Sequence, residues 1–208
     1  KNMYTGIVQA MLPITIVDKK PGLMSFGLNI PLGMRDDLEL GASVAVNGCC
    51  FTVTEIQEQA VLFDAIAETL DLTNIKYLQK GTEVNVERSA KSDAEVGGHI
   101  LSGHIIDVAA VVSIEESDNN CRLTFQGNGD WMKYVFNKGY LAVNGCSLTV
   151  AAIDRTLNQF SINLIPETLR RTNFALLQEG DEVNIEIESQ TQVIVDTVER
   201  VMEERYGA

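Results

Sequence analysis

The sequence predicts an all-β protein made of two tandem copies of one small domain, each a closed barrel or a sandwich, followed by a single terminal helix. Three observations carry that prediction. A long internal repeat spans most of the chain, short β-rich runs alternate with turn signals, and the final segment switches to helical periodicity.

The repeat comes first. Val46-Asn47-Gly48-Cys49-Cys50-Phe51-Thr52-Val53 returns as Val143-Asn144-Gly145-Cys146-Ser147-Leu148-Thr149-Val150, 97 residues later. Glu68 to Glu87 aligns without a gap onto Glu167 to Glu186 at an offset of 99, with twelve identities in twenty positions. Shared strand composition does not produce that density. The change of offset places a two-residue insertion in the second copy, near Asp154 to Asn158. Thr5-Gly6-Ile7-Val8 matches Ser102-Gly103-His104-Ile105 more weakly. Two units of this length mean a duplicated domain; a solenoid uses more and shorter units. With the join near Ala94 to Gly98, the chain divides into 1–97, 98–188 and a tail, 189–208.

Within the first copy, Ser43 to Val46 and Cys49 to Ile56 are β-rich runs flanking Asn47-Gly48. Asn-Gly is the strongest short hairpin signal, because both residues tolerate positive φ. Ala60 to Ala67 reads as a further strand, Glu68 to Asn74 as a short helix, and Gly81 as the turn into a strand over Glu83 to Glu87. The tail, Gln190 to Tyr206, lacks Gly and Pro. Val195, Val198 and Met202, with Ile194 and Val201 beside them, recur at spacings of 3 and 4, which is an amphipathic helix. Its apolar stripe can pack on its own barrel or on another copy of the chain; the pattern alone leaves both open.

Composition limits the function. Sixteen Lys and Arg stand against 29 Asp and Glu, a formal charge of −13. That balance argues against nucleic acid and against an anionic membrane surface as partners. No apolar run approaches the ~20 residues of a membrane-spanning helix. No signal peptide is expected, and Met3 reads as the natural start, with Lys1 and Asn2 as additions. Cys49, Cys50, Cys121 and Cys146 include no C-x-x-C pair, so neither zinc nor a disulfide framework is expected, and reduced thiols suit a cytoplasmic protein.

Few residues carry chemistry. Cys50 and Thr52 lie two apart in one strand and so share a face; Ser147 and Thr149 share the matching face. That polar face can hydrogen-bond a ligand inside a barrel mouth, and its persistence in both copies favours function over chance. The two histidines, His99 and His104, fall on opposite faces of a strand at their spacing, and each reads as structural on spacing alone. His104 aligns with Ile7, so the copies differ in ionisable equipment there. Cys50 is a candidate nucleophile, although a free Cys more often serves as a small hydrophobe.

Met3-Tyr4-Thr5-Gly6-Ile7-Val8, Asn47 to Val53, Gly97-Gly98-His99-Ile100-Leu101-Ser102-Gly103-His104, Ser147 to Val150 and Leu164-Ile165-Pro166-Glu167-Thr168 together resemble the riboflavin synthase family, from Met3 to about Val201. The resemblance implies two six-stranded Greek-key barrels, a C-terminal helix that builds a homotrimer, and an active site between barrels of neighbouring subunits. It implies dismutation of two 6,7-dimethyl-8-ribityllumazine molecules into riboflavin and 5-amino-6-ribitylamino-pyrimidinedione, without metal or redox cofactor, and lumazine synthase as a candidate partner. It assigns catalytic roles to His104, Cys50, Ser147 and Thr149. It assigns substrate contacts to Tyr4, Thr52, Asp64, Ile66, Thr69, Lys138, Asn144, Asn163, Ile165 and Glu188. Tyr4 replaces a usual Phe, and Asn144 and Glu188 each stand where Asp is usual. A non-catalytic lumazine or flavin carrier of the antenna type is the alternative.

Overall fold

In the computed structural model, which describes residues 3–91 and 93–207, the chain forms two closed six-stranded antiparallel barrels and a terminal helix. Lys1 and Asn2 lie outside the described residues. The first barrel uses β1 (Ala10–Lys20), β2 (Leu23–Leu28), β3 (Ser43–Val46), β4 (Cys49–Ile56), β5 (Val61–Ile66) and β6 (Glu83–Arg88), in the spatial order β1-β2-β5-β4-β3-β6. The second uses β7 (Asp107–Ser117), β8 (Asn120–Gln126), β9 (Tyr140–Val143), β10 (Cys146–Asp154), β11 (Gln159–Leu164) and β12 (Glu182–Ile187), in the equivalent order.

Alternation explains each wall. Along β4, Cys49, Phe51 and Val53 are buried while Thr52 and Thr54 are exposed. Along β5, Val61, Phe63 and Ala65 point in and Asp64 and Ile66 point out. Phe26, Phe51 and Phe63 meet in the first core, with Phe26 and Phe51 edge-on at 5.0 Å. Phe125 and Phe160 stack at 5.2 Å in the second. A barrel this narrow is filled by its own side chains, each large one contributing about 1.5–3 kcal/mol by burial. Both barrels bend at matching bulges: Ile14/Ile16 and Val53/Glu55 in the first, Val111/Ser113 and Val150/Ala152 in the second. An extra residue at those points kinks the strand and lets the sheet close.

The filled interior corrects one expectation. Cys50, Thr52, Ser147 and Thr149 share faces as predicted, but those faces are the outer walls of the barrels and not a barrel mouth. The segment holding His99 and His104 is likewise not a strand. It is an extended arm, joined to the segment ahead of β1 by an isolated bridge between Leu101 and Tyr4.

The barrels meet across a pseudo-two-fold axis lined by asparagines. Asn47 and Asn144, each at positive φ in its hairpin turn, bring Gly48 and Gly145 back to back. A Cβ on Gly48 would sit 2.6 Å from the Gly145 nitrogen, so only glycine allows this approach. The Asn47 Oδ1 accepts from Asn85 N at 2.9 Å and from Asn173 Nδ2 at 3.1 Å. The Asn144 Oδ1 accepts from Asn184 N at 2.8 Å and from Asn74 Nδ2 at 3.0 Å. Asn85 and Asn184 donate across the axis to the carbonyls of Asn144 and Asn47 at 3.0 and 2.9 Å. Their own Oδ1 atoms accept from the backbone of Asn173 and Asn74 at 2.8 and 2.7 Å.

The short helices α1 (Leu32–Arg35), α2 (Ala67–Leu72), α3 (Gly129–Met132) and α4 (Pro166–Arg171) connect strands, and α5 (Ser189–Tyr206) closes the chain. Val195 packs on the second core, Tyr134 donates to Asp196 at 2.6 Å, and Lys133 pairs with Glu199. Val193, Ile194, Val198, Met202 and Tyr206 stay at least half exposed. Among the described residues, no helix is long and apolar enough to cross a membrane.

Candidate active site

Register assembles two equivalent outer walls. Ser43 pairs with Thr52 and Ala45 with Cys50 on one side of β4. Val53 pairs with Phe63, and on the far side of β5 Ser25 pairs with Asp64 and Leu23 with Ile66. One row therefore runs Ser43, Thr52, Asp64, Ser25, and the next runs Ala45, Cys50, Ile66, Leu23. In the second barrel the corresponding pairings give Tyr140, Thr149, Asn163, Arg122, then Ala142, Ser147, Ile165. Thr52, Asp64, Ile66, Thr149, Asn163 and Ile165 are all exposed. Ser25 Oγ donates to Asp64 at 2.6 Å, so that carboxylate is already oriented.

Two arms cross over these walls. The first, ahead of β1, carries Tyr4 to Ile7; the second, ahead of β7, carries His99 to His104. They join antiparallel through Tyr4 and Leu101, each N–H donating to the other's carbonyl at 2.9 Å. Tyr4, Leu101, Ala45 and Ala142 form a small apolar cluster at the crossing, with Cys50 packed against it. Tyr4 donates its hydroxyl to the Cys50 Sγ at 3.0 Å, and burial pushes its own ionisation far above the ordinary phenol range. Tyr4 is thus a partner of Cys50 at 1% exposure, with no face open to a ligand.

On the other wall, the His99 Nδ1 lies 2.6 Å from the Ser147 Oγ. The imidazole stacks on Tyr140 at 5.4 Å. Burial lowers its pKa below the usual 6.5, and the nearby Glu188 carboxylate partly opposes that. A neutral ring at pH 7 is the form that can accept the Ser147 proton. Glu188 is in turn tied to Thr191 on α5. Sequence spacing gave His99 only a structural role. Its contact with Ser147 joins residues 48 apart, which no local pattern reveals.

Four predicted residues remain. His104 is exposed and directly follows Gly103, whose carbonyl accepts the Cys50 N–H at 2.9 Å. Lys138 is exposed with φ +65°, where the equivalent residue of the first copy is Gly41 at φ +84°. A lysine in that conformation costs about 1 kcal/mol. Thr69 is half-buried, and its carbonyl caps the end of α2 by accepting from Thr73. Asn144, at 1% exposure, belongs to the interbarrel network and to neither wall. Its expected place in a substrate pocket is corrected by the hydrogen bonds that already occupy it.

The lumazine binding domain family matches residues 5–89 and again 102–188. The riboflavin synthase of Escherichia coli (strain K12) is 47% identical over 207 residues, covering 99% of this chain and 96% of the relative. That of Chlamydia pneumoniae is 37% identical, covering 96% and 97%.

The chain belongs to the riboflavin synthase family.

Crystal structures of LumP complexed with 6,7-dimethyl-8-(1'-D-ribityl) lumazine and with riboflavin superpose with TM-scores of 0.81 and 0.82. Their identities are 26% and 27%, each covering 89% of this chain. Within the riboflavin synthase fold, the duplicated domains explain why the two walls share one frame. Where they differ, Cys50 corresponds to Ser147, Asp64 to Asn163, Ser43 to Tyr140, and Ile7 to His104. One wall offers a thiol supported by a phenol, the other a hydroxyl supported by an imidazole.

Proposed function

We propose that this chain is a riboflavin synthase that dismutates two molecules of 6,7-dimethyl-8-ribityllumazine, one held on each type of wall. The observation that carries the reading is that both walls are complete and chemically unequal. A carrier needs a single binding site, whereas a reaction with a donor and an acceptor of the same substance needs two sites of one shape and different chemistry. The reaction removes a proton from the 7-methyl group of one lumazine and adds a nucleophile to the other. Ser147, hydrogen-bonded to neutral His99 and with Thr149 on the same wall, suits the proton step, while His104 follows Gly103 on the Cys50 side. Cys50, whose sulfur Tyr4 steadies, suits addition.

Thr52, Asp64 and Ile66, with Thr69, would hold one ring edge; Asn163, Ile165, Lys138 and Glu188 would hold the other. Each wall is open, so each is half a pocket, and the exposed stripe on α5 supports closure by a neighbouring subunit in a Greek-key-barrel homotrimer. On this plan residues 1–97 and 98–188 are the two lumazine-binding units and 189–208 the assembly helix. A cytoplasmic location rests on the cysteine pattern, and association with lumazine synthase on the family resemblance.

Incubating the purified protein with the lumazine as sole substrate, and following riboflavin formation, tests the reading. Tight lumazine binding without riboflavin would promote the carrier function that the likeness to LumP favours.

A further inference from the structure

We propose that Glu87 and Glu186 are positioning residues that act across the interbarrel axis: Glu87 of the first barrel sets Ser147 on the second, and Glu186 of the second sets Cys50 on the first. The proposal rests on the reading of Ser147 and Cys50 as reacting groups given above.

The two carboxylates occupy matching places, on β6 and β12, and both are nearly inaccessible. Glu87 accepts from Thr5 N at 2.6 Å, Thr5 Oγ1 at 2.8 Å and Gly6 N at 3.1 Å. Glu186 accepts from Ser102 N at 2.7 Å, Ser102 Oγ at 2.9 Å and Gly103 N at 3.1 Å. Each carboxylate therefore grips the arm that precedes its own barrel. Each arm then reaches the other barrel. The Gly6 carbonyl accepts the Ser147 N–H at 2.8 Å, and the Gly103 carbonyl accepts the Cys50 N–H at 2.9 Å.

The fit at these contacts leaves no slack. A Cβ on Gly6 would lie 2.5 Å from the Ser147 Cβ, and one on Gly103 would lie 2.5 Å from the Cys50 Cβ. Both glycines are also at positive φ, +74° and +79°. The carboxylate is thus two steps from the reacting side chain: it fixes the arm's N–H groups, and the arm's carbonyl and bare Cα fix the strand residue. Only a carboxylate does this well, because it accepts several donors at once without presenting one of its own. It does so at the cost of burial, which pushes both groups above the ordinary Glu range despite the hydrogen bonds that pull them down.

The supporting residues are anchored independently. Tyr4 and Leu101 each adjoin a gripped residue but also hold each other by two hydrogen bonds, and His99, three residues before Ser102, has its own stack on Tyr140. Loss of Glu87 should therefore disturb Ser147 more than Cys50, and loss of Glu186 the reverse.

The test uses Glu87→Gln and Glu186→Gln in the full chain, with two probes that need no substrate. One is the rate at which iodoacetamide alkylates Cys50, read by mass spectrometry against buried Cys49. The other is the ¹⁵N shift of the His99 imidazole, assigned with His99→Gln. The expected result is crossed. Glu186→Gln changes Cys50 alkylation about tenfold and barely moves His99, whereas Glu87→Gln moves His99 and leaves alkylation within about twofold. In turnover, each variant lowers kcat about tenfold or more with little change in KM. Equal movement of both probes in either variant, or movement of neither, overturns the proposal, the first outcome showing only a loosened scaffold. If a glutamine variant does not fold, Thr5→Val and Ser102→Ala each remove one of the three bonds and must show the same crossed pattern at smaller size. Absence of riboflavin from the unaltered chain would sink the synthase reading alone, since both probes report without it.

Discussion

The two barrels differ least where they touch each other and most where they face outward. At the axis, Asn47, Asn74 and Asn85 are matched by Asn144, Asn173 and Asn184, and every one hydrogen-bonds a residue of the opposite barrel or the equivalent turn. On the walls, a thiol in one copy corresponds to a hydroxyl in the other, Asp to Asn and Ser to Tyr. Duplication explains both. A self-complementary interface needs the same residues on each side, because each bond is made twice: Asn173 donates to Asn47 as its counterpart Asn74 donates to Asn144. The walls meet no such demand, so they are free to acquire unequal chemistry.

The most severe way to test the inequality is to remove one member of each pair. His99→Ala and Ser147→Ala should each lower kcat roughly 10²- to 10⁴-fold, as loss of an acid–base group does. Because the two residues act as a unit, the double variant should cost little more than either alone. Steady-state kinetics decide it; additive losses would separate His99 from Ser147.

The symmetric region makes the opposite demand. Asn85→Ala and Asn184→Ala should destabilise by similar amounts, about 2–4 kcal/mol, since each strands a buried backbone N–H and a carbonyl on the other barrel. Thermal unfolding of both variants measures this, and clearly unequal losses would break the symmetry argument.

A smaller effect separates the walls by pH. The folded chain binds a proton on His99 more weakly than the unfolded chain, so the stability this contributes is present above about pH 6.5 and is lost as pH falls through the lowered pKa. The first wall has no equivalent histidine. His99→Gln should therefore flatten part of the decline in melting temperature between about pH 7 and pH 5, and an unchanged slope would contradict the buried, neutral ring.

The smallest expected effect is at Asn144. An aspartate there keeps the Oδ1 that accepts from Asn184 and Asn74 and loses only a long contact to Asn173 at 3.5 Å. Asn144→Asp should change turnover by less than about twofold, because the side chain reaches neither wall. A large rise in kcat would return this position to the chemistry.

Much of this was legible in the sequence. The strand runs at Ser43–Val46 and Cys49–Ile56, the Asn-Gly hairpins, the short helix after β5 and the amphipathic tail all stand where pattern placed them. The repeat also held a signal for the axis: Asn74 and Asn85 are among the twelve identities, and a repeated Asn outside a turn has to bond something. What misled was the alternation. Period two tells which residues share a face but not which face is inside, and the aromatic content of Phe26, Phe51 and Phe63 settles that only once the barrel closes.

By itself, then, the sequence determined the duplicated all-β plan, the family, and the faces that Cys50 shares with Thr52 and Ser147 with Thr149, because local periodicity and the repeat are written along the chain. Only the tertiary structure decided that His99 meets Ser147, that Tyr4 meets Cys50, and that Glu87 and Glu186 grip the arms. Those contacts join residues 46 to 84 apart, and they exist because the two arms cross an axis that forms only when one barrel packs on the other.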